Sequence, residues 1–282
     1  MNLRNASGII FIPDEVSVEE ALGRTTHMGI GAHPDDLEIL AYDGILKSFH
    51  SDENWFFGVT VTDGRASPRD SLYAKYTDEE MRLVRREEQK KAAVVGQYSG
   101  LAMLDYTSAA TKDPAHTDVV EDLKNLVEAA RPATIYTHNP ADKHDTHVAV
   151  VLRVIAALRQ VREECKPKAL YGCEVWRDLD WLVDEDKVAM DVSMHESLAA
   201  SLVHLFDSQV CGGKRYDLAT LGRRRANATY HATHGTDIAT ALIFGMDMTP
   251  LIHDPSLDIL EYVNRFIQRF AADVADRLGR LG

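Results

Sequence analysis

Residues 27–38 read HMGIGAHPDDLE. The first six are small and mostly apolar, which suits a short buried strand, and the chain then turns sharply through His33, Pro34, Asp35 and Asp36. Pro34 is held at a φ of about −65° and keeps its predecessor extended, so the turn is stiff. Beyond it, DLEILAYDGILKSF (36–49) spaces its apolar residues at helical intervals, and NWFFGVTVTD (54–63) reads as a second strand ending in a polar loop. Strand, helix, strand in that order is the unit of a parallel sheet with helices packed on it.

The pattern continues downstream. Residues 77–97 have Thr77 as a cap, early acids, later bases and Gly96 near the end, which together predict a helix. A helix over 117–130, a strand ATIYTH (133–138), the polar loop NPADKHDTH and an apolar helix over 148–161 follow. The second half is less regular: strands over 169–176 and 188–193, a helix over 196–209, then no clear pattern over 210–250. Asp254-Pro255 opens a long amphipathic helix carrying Ile259, Leu260, Val263, Phe266, Ile267, Phe270, Val274 and Leu278 on one face. Packing on its own domain is the main expectation for that face, a subunit contact the other. The fold class is therefore α/β: Rossmann-like, with a mostly parallel sheet, helices on both faces and a long C-terminal helix. It forms one domain over 1–282, with a lead-in at 1–26, a core at about 27–252 and the helix at 254–282. Ligands of such sheets sit beyond the carboxyl ends of the strands. Both polar clusters directly follow strands, so they are expected to meet at one edge.

Composition narrows the function. The chain has 282 residues and a net charge of −13, from 44 acids against 31 bases. That balance argues against general nucleic-acid binding, which needs basic surface for phosphates, and against adhesion to an anionic membrane. No stretch approaches the ~20 apolar residues of a membrane span. The cysteines are Cys165, Cys173 and Cys211, with no CxxC pair, so neither a disulfide framework nor a cysteine zinc site is indicated. A soluble, reducing, cytoplasmic setting is the default. Cys211, in VCGG, is expected to be a buried structural residue.

Two clusters carry the chemistry. His33 and Asp36 lie three apart in a tight turn that can aim both at one point, and imidazole with carboxylate is a normal zinc pairing. Asp35 can reach a metal-bound water without binding the metal. The bland alternative is a capping turn. In the second cluster His144 and His147 are also three apart: one completes a metal site and the other stays free as an acid or oxyanion donor. Here the alternative is a polar loop with Thr146 or Asp145 as helix cap. The two clusters together favour a mononuclear metal site. His138 is expected behind the ligands, Trp176 in the core or as a sugar platform, and His231 and His234 in a surface or structural role, with substrate contact or metal binding as the alternatives. Arg223, Arg224 and Arg225 read as a solvated face, with an anionic substrate or a neighbouring subunit as the alternative partners.

GAHPDDLE and NPADKHDTHVAV together resemble the LmbE-like family, the PIG-L-type N-acetylglucosaminyl deacetylases. Arg85-Arg86-Glu87-Glu88 with Gly96, Arg131-Pro132, Glu174-Val175-Trp176 and His204-x-x-x-Ser208-Gln209 resemble its weaker marks, over roughly 27–252. The resemblance implies one zinc ion per chain held by His33, Asp36 and His147. It implies Asp35 as general base, His144 as oxyanion stabiliser or acid, Asp142 orienting His144, and Arg85 binding substrate. The substrate class it implies is a small N-acylated sugar, with no nucleic-acid partner and a homo-oligomeric assembly. Two departures stand out. Thr146 replaces the family's usual Asp before the last His, and Arg65 replaces the usual Glu of the loop after the second strand, reversing a charge.

The expected activity is zinc-dependent removal of an acetyl or other acyl group, by Asp-assisted attack of water. Three protein ligands leave a position open for that chemistry, and zinc lowers the pKa of bound water to about 7. The alternatives are an amidase acting on a thiol conjugate or antibiotic precursor, and a non-catalytic sugar-binding relative. A two-metal phosphate-ester hydrolase is disfavoured, because the second cluster supplies too few carboxylates.

Overall fold

A computed structural model describes residues 1–282. Eight strands form one sheet: β1 (Ile9–Phe11), β2 (His27–Gly31), β3 (Phe56–Thr62), β4 (Gly100–Tyr106), β5 (Thr134–His138), β6 (Ala169–Cys173), β7 (Lys187–Asp191) and β8 (Leu242–Asp247). Their spatial order is β1-β4-β3-β2-β5-β6-β8-β7. The run from β4 to β6 is parallel throughout, while β1, β8 and β7 pair antiparallel at the edges. Counted within the parallel run, its third, second, first, fourth and fifth strands lie side by side, which is the doubly wound order. Its direction reverses between β2 and β5, where the crevice for a ligand is expected.

The helices are α1 (Val18–Gly23), α2 (Asp36–Leu40), α3 (Tyr42–Ser48), α4 (Asp78–Val95), α5 (Ser108–Lys112), α6 (Asp118–Ala130), α7 (Asp145–Leu158), α8 (Glu196–His204), α9 (Asp207–Val210), α10 (Tyr216–Tyr230), α11 (Thr249–His253) and α12 (Ile259–Leu281). They cover both faces, because the central strands are buried on both sides and alternate their side chains between two cores. Ile30, Val59 and Val61 join Leu126 of α6 and Val154 of α7 in one core. Phe56, Leu101 and Tyr136 join Leu37, Ile45, Ala92 and Leu202 in the other. Thr77 starts α4 with a reciprocal cap: its hydroxyl accepts the Glu80 N–H, and the Glu80 carboxylate accepts the Thr77 N–H. Such a cap contributes about 1 kcal/mol.

Several boundaries differ from the sequence reading. The lead-in holds α1 and an edge strand, with Ile9 opposite Met103, so β1 and β4 were both missed. The helix read over 196–209 breaks at Leu205 and Phe206 into α8 and α9. Residues 210–250 contain α10 and β8. The long helix begins at Ile259, where the Asp258 carboxylate accepts the Glu261 N–H at 2.9 Å. Only its first turns pack on the domain, burying Tyr262 and Val263. Ile267, Phe270, Val274 and Leu278 stay exposed, contrary to the main expectation for that face. No helix is long and apolar enough to cross a membrane.

Candidate active site

The turn after β2 is tight because Gly31 lets α2 approach. A Cβ there would lie 2.9 Å from the Asp36 Cβ. Asp35 takes the left-handed conformation, with φ 106°, which costs roughly 1–3 kcal/mol in a non-glycine residue. The surrounding contacts hold it there. Its N–H donates to Gln89 Oε1 at 3.1 Å, and its Oδ2 is 3.1 Å from Arg85 Nη2. Asp36 turns inward, and its Oδ2 accepts the His33 N–H at 2.7 Å.

His147 comes from the first turn of α7 and is fully buried. Its Nδ1 donates to Asp142 Oδ2 at 3.3 Å, so the lone pair on Nε2 faces Asp36 and His33. His33 Nδ1 lies 3.2 Å from Asp36 Oδ2 and 3.2 Å from His147 Nε2. The third side of the triangle, His147 Nε2 to Asp36 Oδ2, is 3.5 Å. Tetrahedral ligands at zinc distances of about 2.0–2.1 Å stand roughly 3.3–3.4 Å apart. The three donors therefore fit a divalent ion. Burial also pushes His33 down to about 4, leaving the neutral imidazole that metals require. Burial alone would raise the Asp36 carboxyl, but the imidazoles of His147, His138 and His33 around it hold it well below the usual range.

The other nearby imidazoles are occupied. His138 Nε2 accepts the Ala32 N–H at 2.8 Å, so its lone pair is spent although it lies 3.4 Å from Asp36. Its ring stacks on His147 with centroids 3.9 Å apart, backing the ligand as expected. His144 caps α7: its Nδ1 accepts the Thr146 N–H at 3.3 Å, which leaves the proton on Nε2. Burial lowers its pKa, so the ring is a neutral hydrogen-bond donor facing the pocket.

Two expected roles change. Asp142 does not hold the His144 ring. It takes the His144 backbone N–H at 3.0 Å and the His147 ring instead, because the loop folds back over α7. Where an acid would have accepted a hydrogen from the ring, the Thr146 N–H donates one to it, so Nδ1 is held as an acceptor. Arg85 lines the pocket, but its terminal nitrogens are engaged by the protein. Its Nη1 donates to Gly64 O at 3.1 Å, and its Nη2 serves Pro34 O and Asp35. Gly64, at φ 66°, makes room for it, since a Cβ there would meet the guanidinium at 2.9 Å. Arg85 opposes the rise that burial imposes on the Asp35 carboxyl, yet that carboxyl stays well above its ordinary value. Arg65 is neutralised by Asp63, at 2.6 Å, so the charge reversal is cancelled locally.

One face of α4 braces the whole site. Beside Arg85, Glu88 accepts the Ser208 hydroxyl at 2.6 Å and its N–H at 2.8 Å, tying α9 to the pocket wall. Gln89 donates to Glu38 at 2.8 Å. The Arg85–Glu88 motif marked this helix; Gln89, one turn beyond Arg85, was missed. The pocket has a volume of about 340 Å³ and opens over His33, Asp35, Asp36 and His144. Trp176, Lys214 and Tyr216 form its outer wall; the last two lie in a segment without periodicity and were not found. Cys211 is exposed rather than buried, and it does not line the pocket. A larger cavity of about 560 Å³, between α8, α10 and residues 237–241, shares no residue with this one.

Residues 28–158 match the model of the PIG-L family, described as GlcNAc-PI de-N-acetylase. No curated protein sequence matches the chain. Among solved structures, the chain is similar to the N,N'-diacetylchitobiose deacetylase of Pyrococcus horikoshii. The identity is 16%, over 82% of this chain and 86% of that one, with a TM-score of 0.62. The 4-carboxy-2-hydroxymuconate hydratase of Pseudomonas putida is 15% identical over 79% of this chain and 96% of that one, with a TM-score of 0.61. A zinc-inhibited form of a teicoplanin deacetylase is 14% identical over 78% and 97%, with a TM-score of 0.56. At these identities the likeness is one of fold, and that fold serves a hydratase as well as deacetylases.

Proposed function

We propose that this chain, whose residues 28–158 match the PIG-L family model, is a metal-dependent hydrolase that removes an acetyl group from an N-acylated sugar or related amine. The observation that carries the reading is the triangle of His33 Nδ1, Asp36 Oδ2 and His147 Nε2, with Asp35 beside it. A divalent ion held there acidifies water and polarises the amide carbonyl. Zinc suits two imidazoles and a carboxylate, although ligand type alone does not select strictly among divalent ions.

Each neighbouring side chain then has a task. Asp35, its pKa raised by burial, takes the proton of the attacking water. His144 donates its Nε2 hydrogen to the oxygen that gains charge as the carbonyl becomes tetrahedral. Asp142 holds the His147 ring in the tautomer that presents Nε2, which strengthens it as a ligand. Arg85 keeps Asp35 aimed. No serine or cysteine nucleophile is needed. The test is release of acetate and free amine from N-acetylglucosamine and N,N'-diacetylchitobiose. A chelator should abolish turnover and added zinc should restore it. Turnover that survives complete metal removal would overturn the reading; hydrolysis of other amides with both sugars refused would move it to another amidase.

A further inference from the structure

We propose that Gln89 is a positioning residue for this reaction: its carboxamide holds the main chain of Asp35 in the left-handed turn that keeps the carboxylate at the metal site. This rests on the hydrolase reading and adds to it the device that keeps the base in place. Asp35 stands at φ 106°, a conformation that L side chains rarely adopt. The direction of a Cβ follows from the backbone angles, so the carboxylate stays in the pocket beside His33 and Asp36 only while that turn persists. Two successive turns of α4 grip the residue from opposite ends. Arg85 holds the carboxylate, with Nη2 3.1 Å from Oδ2. Gln89, one turn on and therefore on the same helix face, accepts the Asp35 N–H at its Oε1, 3.1 Å away.

A carboxamide suits this place because it accepts at one atom and donates at the other. Gln89 Nε2 donates to Glu38 Oε1 at 2.8 Å, which fixes the way the amide faces and leaves its oxygen for the Asp35 N–H. Tyr98 donates its hydroxyl to the same Glu38 oxygen at 2.6 Å. The Tyr98 ring in turn packs edge-on against Phe56 of β3, with centroids 4.7 Å apart. A chain of contacts, Tyr98 to Glu38 to Gln89 to Asp35, thus runs from the core of the sheet to the base. The three side chains behind Asp35 are buried, so water does not take over when one of them is removed. Gln89 does not line the pocket, so its route to the chemistry is through Asp35 and not through the substrate.

The experiment makes Gln89→Met, close in length but with a thioether that is a poor acceptor, and repeats the change in an Asp35→Asn background. Acetate release from N-acetylglucosamine and N,N'-diacetylchitobiose is followed in the metal-loaded proteins, and crystal structures of the wild type and Gln89→Met are compared. In the otherwise wild-type enzyme kcat should fall about 10- to 100-fold, the size of one buried hydrogen bond lost, with KM and metal content unchanged. In the Asp35→Asn background the same change should cost less than about two-fold, because the base that Gln89 positions is already gone. In the crystal, Asp35 should leave its left-handed turn and its carboxylate should leave its place. Gln89→Asn, which keeps the carboxamide but draws it back by one methylene, should behave as Gln89→Met does and stands in for it if that variant does not fold. An unchanged kcat, a rise in KM in place of the fall in kcat, an equal loss in both backgrounds, or an Asp35 that does not move would overturn the proposal. Failure of both variants to fold would make Gln89 a packing residue and overturn it too. No acetate release by the wild type would overturn the hydrolase reading alone, and the place of Asp35 in the two crystal structures would then still decide whether Gln89 holds the turn.

Discussion

Two tetrapeptides of this chain are nearly the same, His144-Asp145-Thr146-His147 and His231-Ala232-Thr233-His234, and they have opposite fates. The first opens a helix at the switch point of the sheet. Its second histidine is fully buried, stacked between His138 and His144, and aimed by Asp142 at Asp36. The other tetrapeptide closes α10 and runs into an exposed loop, and neither of its histidines gathers with other metal-ligating side chains. Spacing of three allows two imidazoles to converge, but it does not make them do so. Convergence comes from the sheet, which delivers the carboxylate of a different turn to the same place.

The comparison can be broken at several points. Asp35→Asn should show the largest effect here: a fall in kcat of about 10²–10⁴-fold, typical of losing a general base, with metal content unchanged. A fall accompanied by metal loss would make Asp35 a ligand instead. Asp142→Asn should weaken metal affinity by about 10–100-fold while leaving one site per chain, as expected when the hydrogen bond behind a ligating histidine is lost. Competition with a chromogenic chelator reads this directly, and unaltered affinity would show that the Asp142–His147 contact does no such work. The smallest effect belongs to the second tetrapeptide. His231→Ala with His234→Ala should leave metal stoichiometry and kcat/KM at wild-type values. Loss of either would show that this pair takes part in the chemistry after all.

How much of this was legible depends on the range over which a residue is positioned. The turn HPDD and the ring pair His144–His147 are local patterns at strand ends, so their shared edge followed from strand–helix alternation. The central sheet was legible for the same reason, apart from β4. Its run GLAMLDY is short and apolar, and such a run does not distinguish strand from helix by periodicity. Roles set by contacts distant in sequence were not legible. Arg85 is 51 residues from Pro34, the carbonyl it holds. Whether a carboxylate at 142 serves a ring at 144 or one at 147 depends on how the loop folds back. Lys214 and Tyr216 reach the pocket through a segment with no periodicity, placed by the pairing of α9 with α4 through Glu88 and Ser208.

The metal content of the purified protein, with His147→Ala measured beside it after both are supplied with zinc and desalted, tests the central claim most directly. One divalent ion per chain in the wild type and none in the variant is the predicted result. No metal in the wild type, or one ion retained by the variant, would contradict the assignment of the His33, Asp36 and His147 triangle as the reaction centre.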